Sequence, residues 1–258
     1  MTDQTDSLSS VELFYQQQPS VQSLSEVAEW ISDQHIWSDF DAQWGEFAPD
    51  IFSGIQAFTH RSFFHENQGL CVGHNERLEF LGDAILDAII VTELFIRLPE
   101  EKEGVLSRLK NTLVNESFLA ELARMIGMDE LILVGKGELS NGGLKRDSIL
   151  ADAFEAYLAT IYIAHGQASA RKYILQILDR YQEEKELKLF DTAILDHFDA
   201  KSRLQEKIMK VFKEPPRYLS EDIVENGHSF RVKLLVKDKE ILAMEGNSKK
   251  KLEQRLAA

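Results

Sequence analysis

The sequence predicts a mainly α-helical protein that ends in a small α+β domain. Between residues 46 and 186, apolar residues recur at the helical spacing of 3.6 residues, with breaks at Pro99 and Gly127. Near the carboxyl end the period changes to two, because apolar residues alternate with others from Phe230 to Val236. At 258 residues and 44% hydrophobic content, the chain is long enough for two folded domains.

The first element is an acidic N-terminal extension, residues 1–45. Residues 1–60 contain ten acidic residues and no lysine or arginine. A short amphipathic helix is indicated around Val27 to Ile31, after a polar start. This extension contains no evident catalytic or ligand-binding pattern, so we expect an appendage or a binding site for an unknown partner.

The helical domain is expected to cover residues 46–186, and an apolar linker, 187–198, is expected to pack against the folded protein. The second domain is then 199–258. Its pattern predicts a helix, antiparallel strands and a final basic helix, with a turn at Asp238 and Lys239. The helices predicted for the first domain are Gln56–Phe64, Glu76–Leu98, Val105–Ile126, Ser148–Ala164 and Ala168–Glu186.

The helix over residues 75–90 is apolar around most of its circumference, which predicts that most of it is buried. It nevertheless carries Glu76, Glu79 and Asp83, whose spacing of i, i+3 and i+7 places them on one stripe. Buried carboxylates are costly unless they are paired. Hard oxygen donors favour a divalent cation such as Mg²⁺.

A second apolar helix, near residues 148–158, carries Asp152 and Glu155 at i and i+3. Two such acidic helices can converge on one or two divalent ions, which would favour hydrolysis of a phosphodiester. The alternative is that the acids lie on solvated helix faces and pair with Arg77, Lys145 or Arg146.

Composition narrows the possible functions. The net charge of −14 argues against a nonspecific nucleic-acid binder, although residues 197–258, with 14 basic and 10 acidic residues, are positive. The single cysteine, Cys71, excludes an internal disulfide and a multi-cysteine zinc site. No apolar stretch approaches the length of a membrane span, so we expect a cytoplasmic protein without a membrane partner.

The chain resembles bacterial ribonuclease III. The stretch from His74 to Leu86 is similar to that family's signature motif almost letter for letter. The match continues in the same order over about 140 residues, through Thr59–Ser62, Glu103–Ser107, Gly137–Gly143 and Ser148–Ala156.

The resemblance implies a role for each acid. Glu79, Asp152 and Glu155 correspond to the family's Mg²⁺ ligands, where Mn²⁺ can substitute, and Asp83 and Glu155 correspond to the catalytic acids. The accessory acids that line the RNA-binding valley are Glu76, Glu103 and Glu138.

The implied activity is that of a homodimeric endoribonuclease that cleaves double-stranded RNA. It would leave 5′-phosphate and 3′-hydroxyl ends with short 3′ overhangs, and it would process ribosomal RNA precursors and other structured transcripts. The main alternative is a non-cleaving RNA-binding or ribosome-associated protein with the same fold. Such a protein should have lost metal-binding acids, and this chain retains all those we can place.

Residues 199–258 resemble a double-stranded-RNA-binding domain of α-β-β-β-α order. The family's RNA contacts correspond here to Gln205 and Glu206 in the first helix, His228 in a loop, and Lys249 and Lys250 at the start of the last helix. Domains of this kind recognise the shape and 2′-hydroxyl groups of an RNA duplex. The last helix departs from the family at Leu252, where alanine is usual.

Overall fold

A computed structural model describes residues 9–17, 23–33, 35–195, 204, 208–223, 229–246 and 249–257. The chain divides into two compact units, Met1–Phe190 and Asp191–Ala258. Within the described residues, no helix has both the length and the apolar character needed to cross a bilayer.

The first unit is all-helical in its described part, apart from one bridge between Thr59 and Leu133. Short 3₁₀ turns follow α3, α8 and α9. The helices are α1 (Ser10–Gln17), α2 (Leu24–Ser32), α3 (His35–Trp44), α4 (Ile51–Phe58), α5 (Arg61–Glu66), α6 (Glu76–Arg97), α7 (Glu103–Leu113), α8 (Glu116–Met125), α9 (Lys136–Ser140) and α10 (Asp147–Lys185).

Helix α10 is the centre of this unit, and α4, α6 and α8 pack around it. Two helices were predicted here, and the structure agrees, because Gly166, whose φ is 79°, has non-helical backbone angles and divides α10 into two helical segments. A left-handed φ is strained for other residues, so glycine permits the bend. The predicted helix Val105–Ile126 is instead interrupted, since Asn115 caps α8 by accepting a hydrogen bond from the Phe118 amide.

The amino-terminal segment differs from the expected appendage. In the described part of residues 1–45, three helices bury apolar side chains in the first unit. Phe40 makes edge contacts with Phe58 of α4 and Tyr157 of α10, and Phe14 contacts Phe63 of α5. The segment is acidic on average, but its apolar residues lie on the inner helix faces, so the mean composition does not reveal the packing.

The part of the predicted linker that the structure describes, residues 187–195, contains buried side chains. Leu189 is fully buried, and the Arg97 guanidinium lies 4.3 Å from the centre of the Phe190 ring. Ile194 and Leu195 are buried as well.

The second unit contains a three-stranded antiparallel sheet in the order β1 (Arg217–Ile223), β2 (Ser229–Val236) and β3 (Lys239–Gly246), followed by α11 (Lys249–Ala257). The β2–β3 turn is formed by Lys237 and Asp238, both with positive φ, one position before the predicted pair. Residues 208–212, where a helix was predicted, are helical. The core is formed by Val232, Leu234, Leu252 and Leu256.

Candidate active site

The site is built where α6 crosses α10. The crossing is very close at Gly82, because a Cβ added there would lie 1.9 Å from the backbone oxygen of Glu155. A side chain at this position would force the helices apart, so glycine is required. The contact places the acids of α6 beside those of α10. The acids in question are Glu79, Asp83, Asp152 and Glu155.

These carboxyl groups perturb one another. Burial, followed by the charges of Asp83 and Glu79, raises the pKa of Glu155 to about 8. Burial and the charge of Glu79 raise the pKa of Asp152 to about 6. The pKa of Glu79 is raised by burial and then by Glu76 and Asp83. The four predicted acids therefore form one cluster of uncompensated negative charge.

Two arginines pair with the accessory acids rather than with the central ones. Arg61 lies 3.3 Å from Glu76, and Arg146 lies 2.6 Å from Glu138. In the described part of the chain, none of the four central acids has an ion pair. Within the described residues, the central acids therefore do not pair with Arg77, Lys145 or Arg146, as the alternative would require.

A cleft of about 800 Å³ opens beside this cluster. Sequence spacing had not identified its histidines as part of a site, because they form no metal-ligand pattern. Burial lowers the pKa of His60, whose Nδ1 lies 2.7 Å from the Ser62 hydroxyl. The lining residues are His60, Arg61, Ser62, His65, Asn75, Glu76, Glu79, Glu138, Arg146, Ser148, Ile149 and Asp152.

The structure separates Glu103 from this cleft. Glu103 is exposed at the start of α7, accepts a hydrogen bond from the Ser107 hydroxyl and lines a different groove. Two acids missed by the sequence reasoning are electrostatic neighbours of the site. Glu116 raises the pKa of Asp152, and Asp87 raises that of Glu155. Glu116 belongs to α8, so no spacing along one helix could have identified it.

The donor chemistry of the cluster fits a hard divalent cation. All of its ligand atoms are carboxylate oxygens, and the raised pKa values show that negative charge there lacks compensation. Across the ranges that the structure describes, however, no three acidic, histidine or cysteine side chains are already arranged as a metal-ligand set. The residues fit such an ion in donor type and charge, and side-chain rotation would have to complete the ligand set.

The predicted RNA contacts of the second unit are only partly visible. Gln205, Glu206 and His228 lie outside the described residues. Lys249 and Lys250 occupy the first turn of α11, as predicted, and the Lys249 ammonium lies 4.5 Å from the centre of the Phe230 ring. Leu252, the departure from the family pattern, is buried in the core of the unit.

An all-helical unit with a carboxylate cluster in a cleft, joined to an α+β unit with a basic helix start, defines a helical nuclease. A family model described as ribonuclease-III-like matches residues 54–181. Ribonuclease 3 from Oleidesulfovibrio alaskensis is 43% identical over 204 residues, or 78% of this chain and 86% of the relative. Ribonuclease 3 from Streptococcus pneumoniae is 38% identical over 78% of this chain and 84% of the relative.

A solved structure agrees with these sequence matches. This structure is the nuclease domain of ribonuclease III from Campylobacter jejuni, which is described as flexible in a region involved in dimer formation. It is 34% identical to this chain, with a TM-score of 0.51, and the match covers 55% of this chain and 95% of that one. The chain belongs to the ribonuclease III family. The predicted family, fold class and enzyme class are thereby confirmed.

Proposed function

We propose that this enzyme is a Mg²⁺-dependent endoribonuclease that cleaves double-stranded RNA. The observation that carries the proposal is the cluster of Glu79, Asp83, Asp152 and Glu155, because mutual repulsion there is relieved by a divalent cation. Relatives named ribonuclease 3 support the activity. The second unit, with a three-stranded sheet and a basic helix start, supports duplex RNA as the substrate.

Glu79, Asp152 and Glu155 would hold the ion, and Mn²⁺ would satisfy the same oxygen donors. When bound, the ion supplies positive charge beside the scissile phosphate and lowers the pKa of water in the site. Asp83 is exposed at the edge of the cluster, and we assign it the orientation of the attacking water. Hydrolysis in this arrangement would leave 5′-phosphate and 3′-hydroxyl ends.

The cleft can also bind the RNA backbone. Arg61 and Arg146 are about half exposed or more at its mouth, where they pair with Glu76 and Glu138. The Arg61–Glu76 pair is exposed on both sides and contributes little stability, so an RNA phosphate can compete for the Arg61 guanidinium. Ribosomal RNA precursors and other structured transcripts are the substrates that we expect.

We further infer a homodimer that forms through the outer face of α6. The helix was predicted to be mostly buried, but the structure leaves one apolar stripe exposed. Phe80 is 81% exposed, Phe95 is 71% exposed and Val91 is 50% exposed. A groove of about 650 Å³ lies beside this stripe, lined by Val91, Leu94, Phe95 and Leu106 among others.

A second copy of the chain is the occupant that best fits this face. The stripe and the groove lie on the same face, as a twofold interface requires, since each copy must present both. Phe80 follows Glu79 directly, so pairing there would bring two catalytic centres near one another. The Campylobacter jejuni domain, which has a region involved in dimer formation, supports this inference. Two centres would cut both strands and leave short 3′ overhangs.

Replacement of Phe80 by glutamate should disrupt this dimer. The substitution places a charge in the interface, and loss of a central aromatic contact costs about 2 kcal/mol or more, which weakens association by at least about 30-fold. Light scattering coupled to size exclusion would measure the molar mass. Ile163→Glu is the matched control, because Ile163 is 64% exposed on another helix. A Phe80→Glu protein that remains dimeric would exclude this interface.

The function is tested by cleavage of a labelled, perfectly paired RNA duplex. We expect cutting with Mg²⁺ or Mn²⁺, none with EDTA, and a rate at least about 10³-fold lower for Asp83→Asn. Asp39→Asn, an exposed acid on α3, should cut at the normal rate. If the unmodified protein bound the duplex without cutting it, the non-cleaving alternative would be correct.

A further inference from the structure

Helix α1 contacts the elements that form one side of the catalytic cleft. Val11 is fully buried, Phe14 is 7% exposed, and the Phe14 ring lies 5.2 Å from that of Phe63 on α5. Phe63 is itself fully buried. Helix α1 is therefore anchored in the apolar core directly beneath α5.

Tyr15 links α1 to a polar junction between α5 and α9. Its hydroxyl donates a hydrogen bond to Oε2 of Glu66, at 3.4 Å. The same carboxylate oxygen accepts a hydrogen bond from the Lys136 amide, at 2.8 Å. The Lys136 ammonium also lies 5.1 Å from the centre of the Tyr15 ring, within the range of a cation–π contact. Tyr15 thus contacts both partners of the Glu66–Lys136 bond.

The junction determines where α9 lies. A helix of five residues is not stable alone, so tertiary contacts must hold it. The Gly135 amide donates a hydrogen bond to the Ser62 hydroxyl at 2.9 Å. A Cβ on Gly135 would lie 2.3 Å from Oε1 of Glu66, which shows how closely the Glu66 carboxylate approaches the backbone.

Helix α9 in turn carries Glu138, whose carboxylate pairs with Arg146 at the mouth of the cleft. From α1, a continuous series of contacts therefore leads through Glu66 and Lys136 to two residues of the cleft lining. Lys172 provides a comparison with Lys136. Its ammonium pairs with Glu46 and lies 5.3 Å from the centre of the Phe47 ring, and neither contact belongs to this series.

We propose that α1 is a brace for the α9 side of the catalytic cleft, with Tyr15 acting as a positioning residue through Glu66. Loss of the brace lets α9 shift, so Glu138 and Arg146 no longer meet the RNA backbone in a fixed geometry. The four central acids lie on α6 and α10 and are not members of this series of contacts. The brace therefore acts on RNA affinity more than on the chemical step. The proposal rests on cleavage of RNA at this cleft.

Steady-state cleavage of the duplex by the full chain tests the brace. Tyr15→Ala should raise KM about fivefold with kcat within about twofold, since it removes the hydrogen bond to Glu66 and the cation–π contact with Lys136, along with ring contacts to Phe14 and Phe63. Tyr15→Phe retains the cation–π contact with Lys136 but loses the hydroxyl bond to Glu66, so its KM should lie between those of Tyr15→Ala and the unmodified protein. Lys172→Ala, which removes an ion pair with Glu46 and a cation–π contact with Phe47 that do not belong to this series, should leave KM unchanged.

A double-variant cycle separates positioning from general destabilisation. If Tyr15 acts through Glu66, the protein with both Tyr15→Ala and Glu66→Ala should have the KM of Glu66→Ala alone. Additive effects, an unchanged KM in Tyr15→Ala, or an equal rise in Lys172→Ala would each overturn the brace. Absence of cleavage by the unmodified chain would instead refute the proposed function, so the two failures are distinguishable.

Discussion

Glu155→Gln should abolish cleavage while leaving duplex binding intact. The substitution preserves size but removes the charge of the most perturbed acid in the cluster, which is both a proposed ion ligand and a proposed catalytic acid. We expect kcat to fall by about 10³-fold or more, with a Kd for the duplex within about twofold of the unmodified value. Single-turnover cleavage and filter binding measure the two quantities.

Glu183→Gln is the control for this experiment, because it makes the same change at an exposed position of the same helix. It should cut RNA at the normal rate. Cleavage by Glu155→Gln at the normal rate with Mg²⁺ would refute the assignment of this acid.

The same variant should be more stable than the unmodified protein when no metal is added. The pKa of Glu155 is raised from 4.5 to about 8 in the folded state, so between these values the folded protein binds more protons than the unfolded one. Stability therefore falls as pH rises through this window. Glutamine removes the penalty, and after discounting for solvent screening of a partly exposed group we expect a gain of about 2 kcal/mol at pH 8.

Thermal unfolding in EDTA at pH 5 and pH 8 checks this expectation. The advantage of Glu155→Gln should be present at pH 8 and should shrink toward pH 5. Added Mg²⁺ should raise the Tm of the unmodified protein more than that of the variant, because only the former has the full set of acids. An equal Tm for both proteins at pH 8 would mean that Glu155 is not electrostatically strained.

Deletion of residues 1–44 should prevent folding. If the segment were an appendage, the truncated chain would keep its activity. The deletion, however, removes α1, α2 and α3, whose buried aromatic and aliphatic side chains fill the first unit. Those are Phe14, Val27, Ile31, Ile36, Trp37, Phe40 and Trp44. We expect aggregation on expression or a chain without a cooperative unfolding transition, measured by circular dichroism.

A point variant tests the same packing without truncation. Phe40→Ala should lower the free energy of unfolding by about 3–5 kcal/mol, because Phe40 is 4% exposed and contacts two other aromatic rings. Phe52→Ala, at a position that is 37% exposed, should cost far less. A truncated protein with an unchanged Tm would mean that residues 1–44 do not stabilise the first unit and form an independent extension.

The helical periodicity predicted α6 over Glu76–Leu98, and the structure ends it one residue earlier. Spacing also selected the four acids that the structure brings together, because Glu79 with Asp83, and Asp152 with Glu155, each share one face of a single helix. Local rules predicted these features because helix geometry depends on residues only three or four positions apart.

Other features depend on residues that are distant in the chain. Glu116 is an electrostatic neighbour of Asp152 because α8 packs against α10, and Glu138 meets Arg146 through a loop and a short helix. The sequence predicted an appendage where the amino-terminal aromatic residues are buried, and it predicted burial for most of the helix on which Phe80 is exposed. Composition does not specify which other element covers an apolar face, or whether that face stays exposed.

The order of helices, the change to strands near Phe230 and the acids of the proposed catalytic centre are thus properties of the linear sequence, since local periodicity and motif spacing encode them. The approach of α6 to α10 at Gly82, the shared charge that raises the pKa of Glu155 and the support of α9 by Tyr15 are properties of the folded chain. These features need helices from distant parts of the sequence to pack together, because burial and Coulomb interactions depend on distance in space.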